Sequence, residues 1–305
     1  MDDRRSFIKK SAFSGIGLIG LRHFSLDELH TEDLYNLVIA HTNDMHSHID
    51  PFPANDPKYP DQGGMERRAV QIDKLRAAHG EILLLDSGDI FQGTPYFNFF
   101  GGSLELQLMS IMGYDVATMG NHDFDGGMDG FIRAKESGNF PFVCSNYDMR
   151  DSLLTGHTLG HILLRKQGMK IGVFGLGVAL EGLVDKRLCQ GVRYMDPIKI
   201  AKEKVRLLRF ELKCDAVICL SHLGYEYDHK KVSDRVLASE VSGIDLILGG
   251  HTHTFMDEMV SIENSSGWMT RINQVGWAGV RLGHIELKMS KERGAKEWKD
   301  KGQYS

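Results

Sequence analysis

Short apolar runs alternate along the chain with longer stretches of helical periodicity. The runs are LYNLVIA (34–40), EILLLD (81–86), DVATM (115–119), FPFVCS (140–145), KIGVFGL (170–176), DAVICLS (215–221) and IDLILGG (244–250). Apolar runs this short, bounded by Gly, Asp and Asn, read as buried strands. Between them, MERRAVQIDKLRAAHG sets Ala69, Ile72, Leu75 and Arg76 at helical spacing, and DPIKIAKEKVRLLRFELK offers Asp196 as N-cap and Pro197 at the first helical position. Strands alternating with helices predict an α/β fold. No internal repeat, second core or low-complexity linker breaks the order, so one domain is expected over 31–290. The polar KERGAKEWKDKGQYS, residues 291–305, reads as a tail.

Composition changes this picture little. A chain of 305 residues, 42% hydrophobic and 25% charged, fits a globular protein with one large core. Its net charge of -5 offers no basic stripe for a phosphate backbone, which argues against nucleic acid as a partner. Cys144, Cys189, Cys214 and Cys219 form no C-x-x-C pair and read as buried thiols.

The N-terminus points to a compartment. MDDRRSFIKKSAFSGIGLIGLRHF resembles a bacterial twin-arginine export signal, with Arg4, Arg5, Phe7, Ile8 and Lys9 at the matching positions. Residues 1–30 are therefore expected to be a signal and linker, and the protein to be exported, to the periplasm in such a cell. The weakly apolar run Ser11 to Leu21 is too short to span a bilayer, and no A-x-A cleavage site follows it. Contact with a membrane is expected only through an uncleaved signal.

The chemistry gathers at strand ends. HTNDMHSH follows the first run, SGDIFQGT the second, GNHDFD the third, SHLG the sixth and GGHTH the seventh. Open α/β sheets place their sites at the C-terminal ends of strands. Mixed Asp, Asn and His without Cys suits two adjacent divalent cations rather than a closed structural zinc site, and one carboxylate must then bridge them.

Taken in order, NDMHSH, DSGDIFQGT, GNHDFD, SHLG and GGHTH resemble the five motifs of the calcineurin-like metallophosphoesterases. GGMERRA (63–69), FQGTPYFNFFGG (91–102), NFPFVCSN (139–146) and NQVGWAGVRLG (273–283) resemble, more narrowly, the N-terminal catalytic domain of the 5′-nucleotidase and 2′,3′-cyclic-nucleotide phosphodiesterase family. The resemblance implies a four-layer α/β/β/α sandwich. It implies that Asp44, His46 and His253 hold one metal, that Asn121, His222 and His251 hold the second, and that Asp89 bridges them. The metals would be Mn, Zn, Fe, Co or Mg.

Two cations about 3.5–4 Å apart lower the pKa of a bridging water and clamp phosphoryl oxygens, so a metal-bridging hydroxide can attack a phosphate ester in line. His122, beside Asn121, is placed to donate to the ester, with Asp125 orienting it; the resemblance assigns the same pair. Asp123 is expected to support rather than to react. Asn43, His48 and Asp86 match no ligand position and read as outer-layer or surface residues. Arg67 matches a residue of the family pattern and reads equally as an exposed helix-face residue beside Arg68. Phe91, Tyr96, Phe97, Phe99 and Phe100 read as core and rim packing, and His157, His161, His229 and His284 receive no role.

The expected substrate is a small phosphorylated compound, a 5′-nucleotide or related ester. A thiosulfohydrolase-like hydrolase of sulfur conjugates, or a binding module on the same fold, are the alternatives. Full-length relatives carry a C-terminal substrate-binding domain that begins where this chain stops, so a separately encoded domain docking in trans is a further expectation.

Overall fold

The first strand shows how the layers arise. In β1 (Leu34–Thr42), Leu37 and Ile39 point into one apolar cluster while Val38 and Ala40 point into another. The two-residue period of a strand thus serves two cores at once. β2 (Ile82–Asp86) repeats the division, with Leu83 and Leu85 on one side and Ile82 and Leu84 on the other. The computed structural model describes residues 34–292 and 294–304. The signal expected over 1–30 lies outside them. Among the described residues no helix is long and apolar enough to cross a membrane.

The remaining strands are β3 (Val116–Thr118), β4 (Phe142–Val143), β5 (Tyr147–Asp148), β6 (Ile162–Lys166), β7 (Met169–Gly177), β8 (Arg193–Tyr194) and β9 (Ala216–His222). They continue with β10 (Leu246–Leu248), β11 (Val260–Glu263), β12 (Met269–Asn273), β13 (Leu282–Ser290) and β14 (Lys296–Tyr304). The first sheet runs β14-β13-β1-β2-β3-β4 and the second β11-β12-β10-β9-β7-β6. Each has a parallel centre and antiparallel pairing toward an edge, and β5 and β8 pair separately. All seven apolar runs became strands, although FPFVCS supplies only two residues of one.

Helices α1 (Met65–His79), α2 (Pro95–Phe100), α3 (Ser103–Met112) and α4 (Gly127–Lys135) accompany the first sheet. α5 (Pro197–Val205) and α6 (Asp234–Glu240) cover the second. The first apolar cluster joins the early helices to one face of the first sheet, the second lies between the sheets, and the third joins the second sheet to α5 and α6. Three cores make four layers, the expected sandwich. Helix α5 starts as its sequence requires, with Asp196 accepting the N–H groups of Ile198 and Lys199 at 2.8 and 3.3 Å. Its expected continuation to Lys213 instead widens into a π-type turn over Arg206–Glu211.

One expectation is corrected. Residues 296–304 are not a loose tail but β14, paired antiparallel with β13 and burying Trp298 opposite Leu287. An edge strand covers the core on one face only, so its polar remainder conceals it. A second difference concerns the paired arginines. Arg67 is exposed, while Arg68 is fully buried beside Met45. Gly279, at φ +66°, is what admits it, because a Cβ there would overlap the Arg68 guanidinium.

Candidate dinuclear metal centre

Five parallel strands end on one side of the two sheets, and their loops carry the candidate ligands. Asp44 and His46 follow β1, Asp89 follows β2, Asn121 follows β3, His222 ends β9, and His251 and His253 follow β10. The sheets are tied together there, because Ser87 Oγ donates to the Leu248 carbonyl at 2.8 Å. The first two loops are tied as well, Asp44 N–H donating to the Gly88 carbonyl at 2.9 Å. Gly120 lets the third loop pass the second, since a Cβ on it would overlap the Asp89 carboxylate.

Two ligand sets form. Asp44, His46 and His253 bring one atom each within 4.8 Å of one another, and so do Asp89, His222 and His251. His46 Nε2 lies 3.0 Å from His253 Nε2, and His253 Nε2 lies 3.3 Å from Asp44 Oδ1. Asp89 Oδ2 links the sets, 3.0 Å from His222 Nε2 in its own set and 3.9 Å from His46 Nε2 in the other. That is the place a bridging carboxylate must take. Asn121 is buried, and its Oδ1 has no hydrogen-bond partner among the described residues. An unpaired buried carbonyl oxygen costs about 1–3 kcal/mol, a cost that a cation removes. The donor set therefore fits two divalent metals, all oxygen and imidazole nitrogen with no thiolate.

Outer contacts fix which nitrogens face inward. His222 Nδ1–H donates to the Ser87 carbonyl at 2.7 Å and His46 Nδ1–H to the Gln92 carbonyl at 3.0 Å, leaving both Nε2 atoms for metal. Burial pushes His46 down, and burial together with His222 pushes His251 down to about 4, so both offer neutral lone pairs. Burial opposes charge on Asp89 and His222 alike, yet their close contact holds the carboxyl low and the imidazole high.

His122 projects beside this cluster, half exposed, with its ring 5.2 Å from that of His46. Its Nδ1 lies 2.7 Å from Asp125 Oδ2, and its backbone N–H donates to Asp89 Oδ1 at 2.8 Å. The bond to Asp125, helped by the Asp89 charge, raises its pKa against partial burial. Asp123 is wholly buried. Its carboxylate accepts the backbone N–H groups of Gly120, Asp89, Ile90 and Phe91 at 2.7, 3.1, 3.0 and 3.2 Å. It stitches the second loop to the third.

The other residues singled out from sequence divide. Asn43 Nδ2 donates to Asp44 Oδ2 at 2.6 Å and so aims a ligand. Asp86 is buried under Thr42 and Gly88, and burial pushes it up to about 7. His48 packs against Phe52 and Trp277, apart from the ligand atoms. Phe91 is buried and stacks on Phe97, whereas Phe99 and Phe100 are exposed at the rim.

Two neighbours of the site escaped the sequence reading. Trp277 lies flat on His253, with ring centroids 5.5 Å apart and planes within 2°. Gln274 braces the GGHTH loop, donating to the Gly250 carbonyl at 2.8 Å while its Oε1 accepts Thr254 N–H and Thr252 Oγ1–H. Both sit in NQVGWAGVRLG, a stretch that carried a resemblance but no metal-competent side chain to draw the eye.

The chain is 32% identical over 229 residues to a snake venom 5'-nucleotidase from Gloydius brevicauda, a match covering 73% of this chain and 38% of that protein. It is 29% identical to the trifunctional nucleotide phosphoesterase protein YfkN of Bacillus subtilis, covering 93% of this chain and 20% of that protein. It thus spans well under half the length of these curated relatives. Among solved structures, a 5'-nucleotidase precursor from Thermus thermophilus superposes with a TM-score of 0.77 at 26% identity, over 87% of this chain and 54% of that one. The model of the calcineurin-like phosphoesterase family matches residues 37–255, so the chain belongs to that family.

Proposed function

We propose that this protein is an exported metal-dependent phosphohydrolase that cleaves 5′-nucleotides or related nucleotide esters. One observation carries the reading: Asp89 Oδ2 belongs to the set with His222 and His251 and lies 3.9 Å from His46 Nε2 of the other set, while its Oδ1 accepts the His122 backbone N–H. Two divalent cations held there supply Lewis acidity to phosphoryl oxygens and acidify a water. Asp44, His46 and His253 would hold one, Asn121, His222 and His251 the other, and Asp89 both.

The chain's own residues supply the rest. The bond to Asp125 raises the pKa of His122 and so favours the protonated ring, and it holds Nδ1, leaving Nε2 free of that bond. From there His122 donates to a phosphoryl or leaving-group oxygen. The nucleotide assignment is supported by relatives named 5'-nucleotidase and nucleotide phosphoesterase. Export rests on the arginine pair Arg4 and Arg5.

The test is a metal-reconstituted panel of nucleotides, cyclic nucleotides, sugar nucleotides and generic phosphate esters. Hydrolysis of 5′-AMP that disappears with chelator and returns with Mn²⁺, Zn²⁺ or Co²⁺ is expected. Absence of hydrolysis on every ester with every metal would overturn the assignment.

A further inference from the structure

A second group of metal-competent side chains lies far from the cleft. Helix α1 connects two parallel strands, so it runs against them and its last residue, His79, falls at the opposite end from the strand-end loops. There His79 meets His284 and Glu286 of β13, each bringing one ligand atom within 4.8 Å of the others. We infer that His79, His284 and Glu286 form a separate binding site for a zinc-class transition-metal ion.

Two observations carry this. First, His284 is buried and its Nε2 has no hydrogen-bond partner among the described residues, 3.8 Å from Glu286 Oε1. Tetrahedral zinc with bonds of about 2.0–2.1 Å keeps neighbouring donors roughly 3.4 Å apart, which a small rotation of either side chain meets. Second, both ligands on β13 are braced by β14. Tyr304 stacks on the His284 ring at 5.8 Å with its Oη 3.4 Å from Nδ1, and Lys301 Nζ lies 3.3 Å from Glu286 Oε2. The brace occupies Nδ1 and Oε2 and leaves Nε2 and Oε1 turned to the site, the arrangement by which outer contacts orient metal ligands. His79 is exposed and supplies the third ligand, with the remaining position open to water. Two imidazoles and one carboxylate without thiolate favour zinc over calcium or magnesium.

The experiment compares bound zinc in the full chain and in His79→Ala and Glu286→Gln, after equilibrium dialysis against micromolar Zn²⁺. The strand-end ligands are the same in all three proteins, so their zinc cancels in the comparison. His79 is exposed, so its replacement leaves the fold intact. One zinc equivalent fewer in each variant, with phosphoesterase turnover at the wild-type level, is expected. Equal zinc content in the wild type and either variant overturns the site.

Discussion

His122 Nδ1 lies 2.7 Å from Asp125 Oδ2, and the backbone N–H of the same histidine donates to Asp89 at 2.8 Å. One residue is thereby fixed both to Asp125 and to Asp89, the proposed bridging ligand. Replacing the ring leaves the backbone bond and the metal ligands intact. His122→Ala is expected to retain both metals by elemental analysis while losing about 10²–10⁴-fold in kcat. Asp125→Asn, which keeps the shape, should lose less. Wild-type kcat in His122→Ala would remove this residue from the chemistry.

Asp123→Ala tests a structural role. The substitution strands four backbone N–H groups in a buried loop, at about 1–3 kcal/mol for each that stays unpaired. A loss of several kcal/mol in denaturant unfolding is expected, with reduced metal content, because Asp89 sits on the loop that Asp123 ties down. Undiminished stability and metal content would show that the loops hold without it.

Trp277→Leu removes the flat surface behind His253 and touches no ligand atom directly. Metal titration of activity should shift to about 10-fold higher Mn²⁺, with kcat at saturating metal close to wild type. An unchanged titration curve would reduce the stack to simple packing.

Acid sensitivity follows from His41. Burial pushes its pKa down to about 3 in the folded protein, whereas the unfolded chain titrates near 6.5. The unfolded state therefore binds the extra proton. The stabilising contribution is complete above the unfolded value and is lost as pH falls toward the folded one, at up to about 1.4 kcal/mol per pH unit. Denaturant midpoints of chelated protein, compared at about pH 7 and about pH 5, should fall less in His41→Phe. Parallel slopes for the two proteins would contradict the assignment.

How much of this was legible depended on where each residue buries its surface. The seven apolar runs announce strands because both of their faces are covered, as in DAVICLS, where Val217 and Cys219 enter one core and Ile218 and Leu220 another. The edge strand β14 buries one face and is so polar that only Trp298 marks it. The ligand candidates were legible because Asp, Asn and His recur after successive strands. Trp277 and Gln274 were not, since their contribution is contact with a ligand's ring or loop, and contact across the sandwich leaves no spacing in the sequence. Arg67 and Arg68 show the same limit: two identical neighbours part only because Gly279 opens room for one of them.

The backbone at the cleft carries a last consequence. Asp44, His46, Asp89, His251 and His253 all sit at positive φ, at 51°, 48°, 54°, 72° and 51°. Non-glycine residues pay about 1–2 kcal/mol for that conformation. Glycine at these positions would ease the folded backbone while deleting a proposed ligand, so on that proposal selection for foldability and selection for metal pull the same five sites toward opposite residues. Lineages that lose the need for the cation should drift there first, and gain thermal stability as they do.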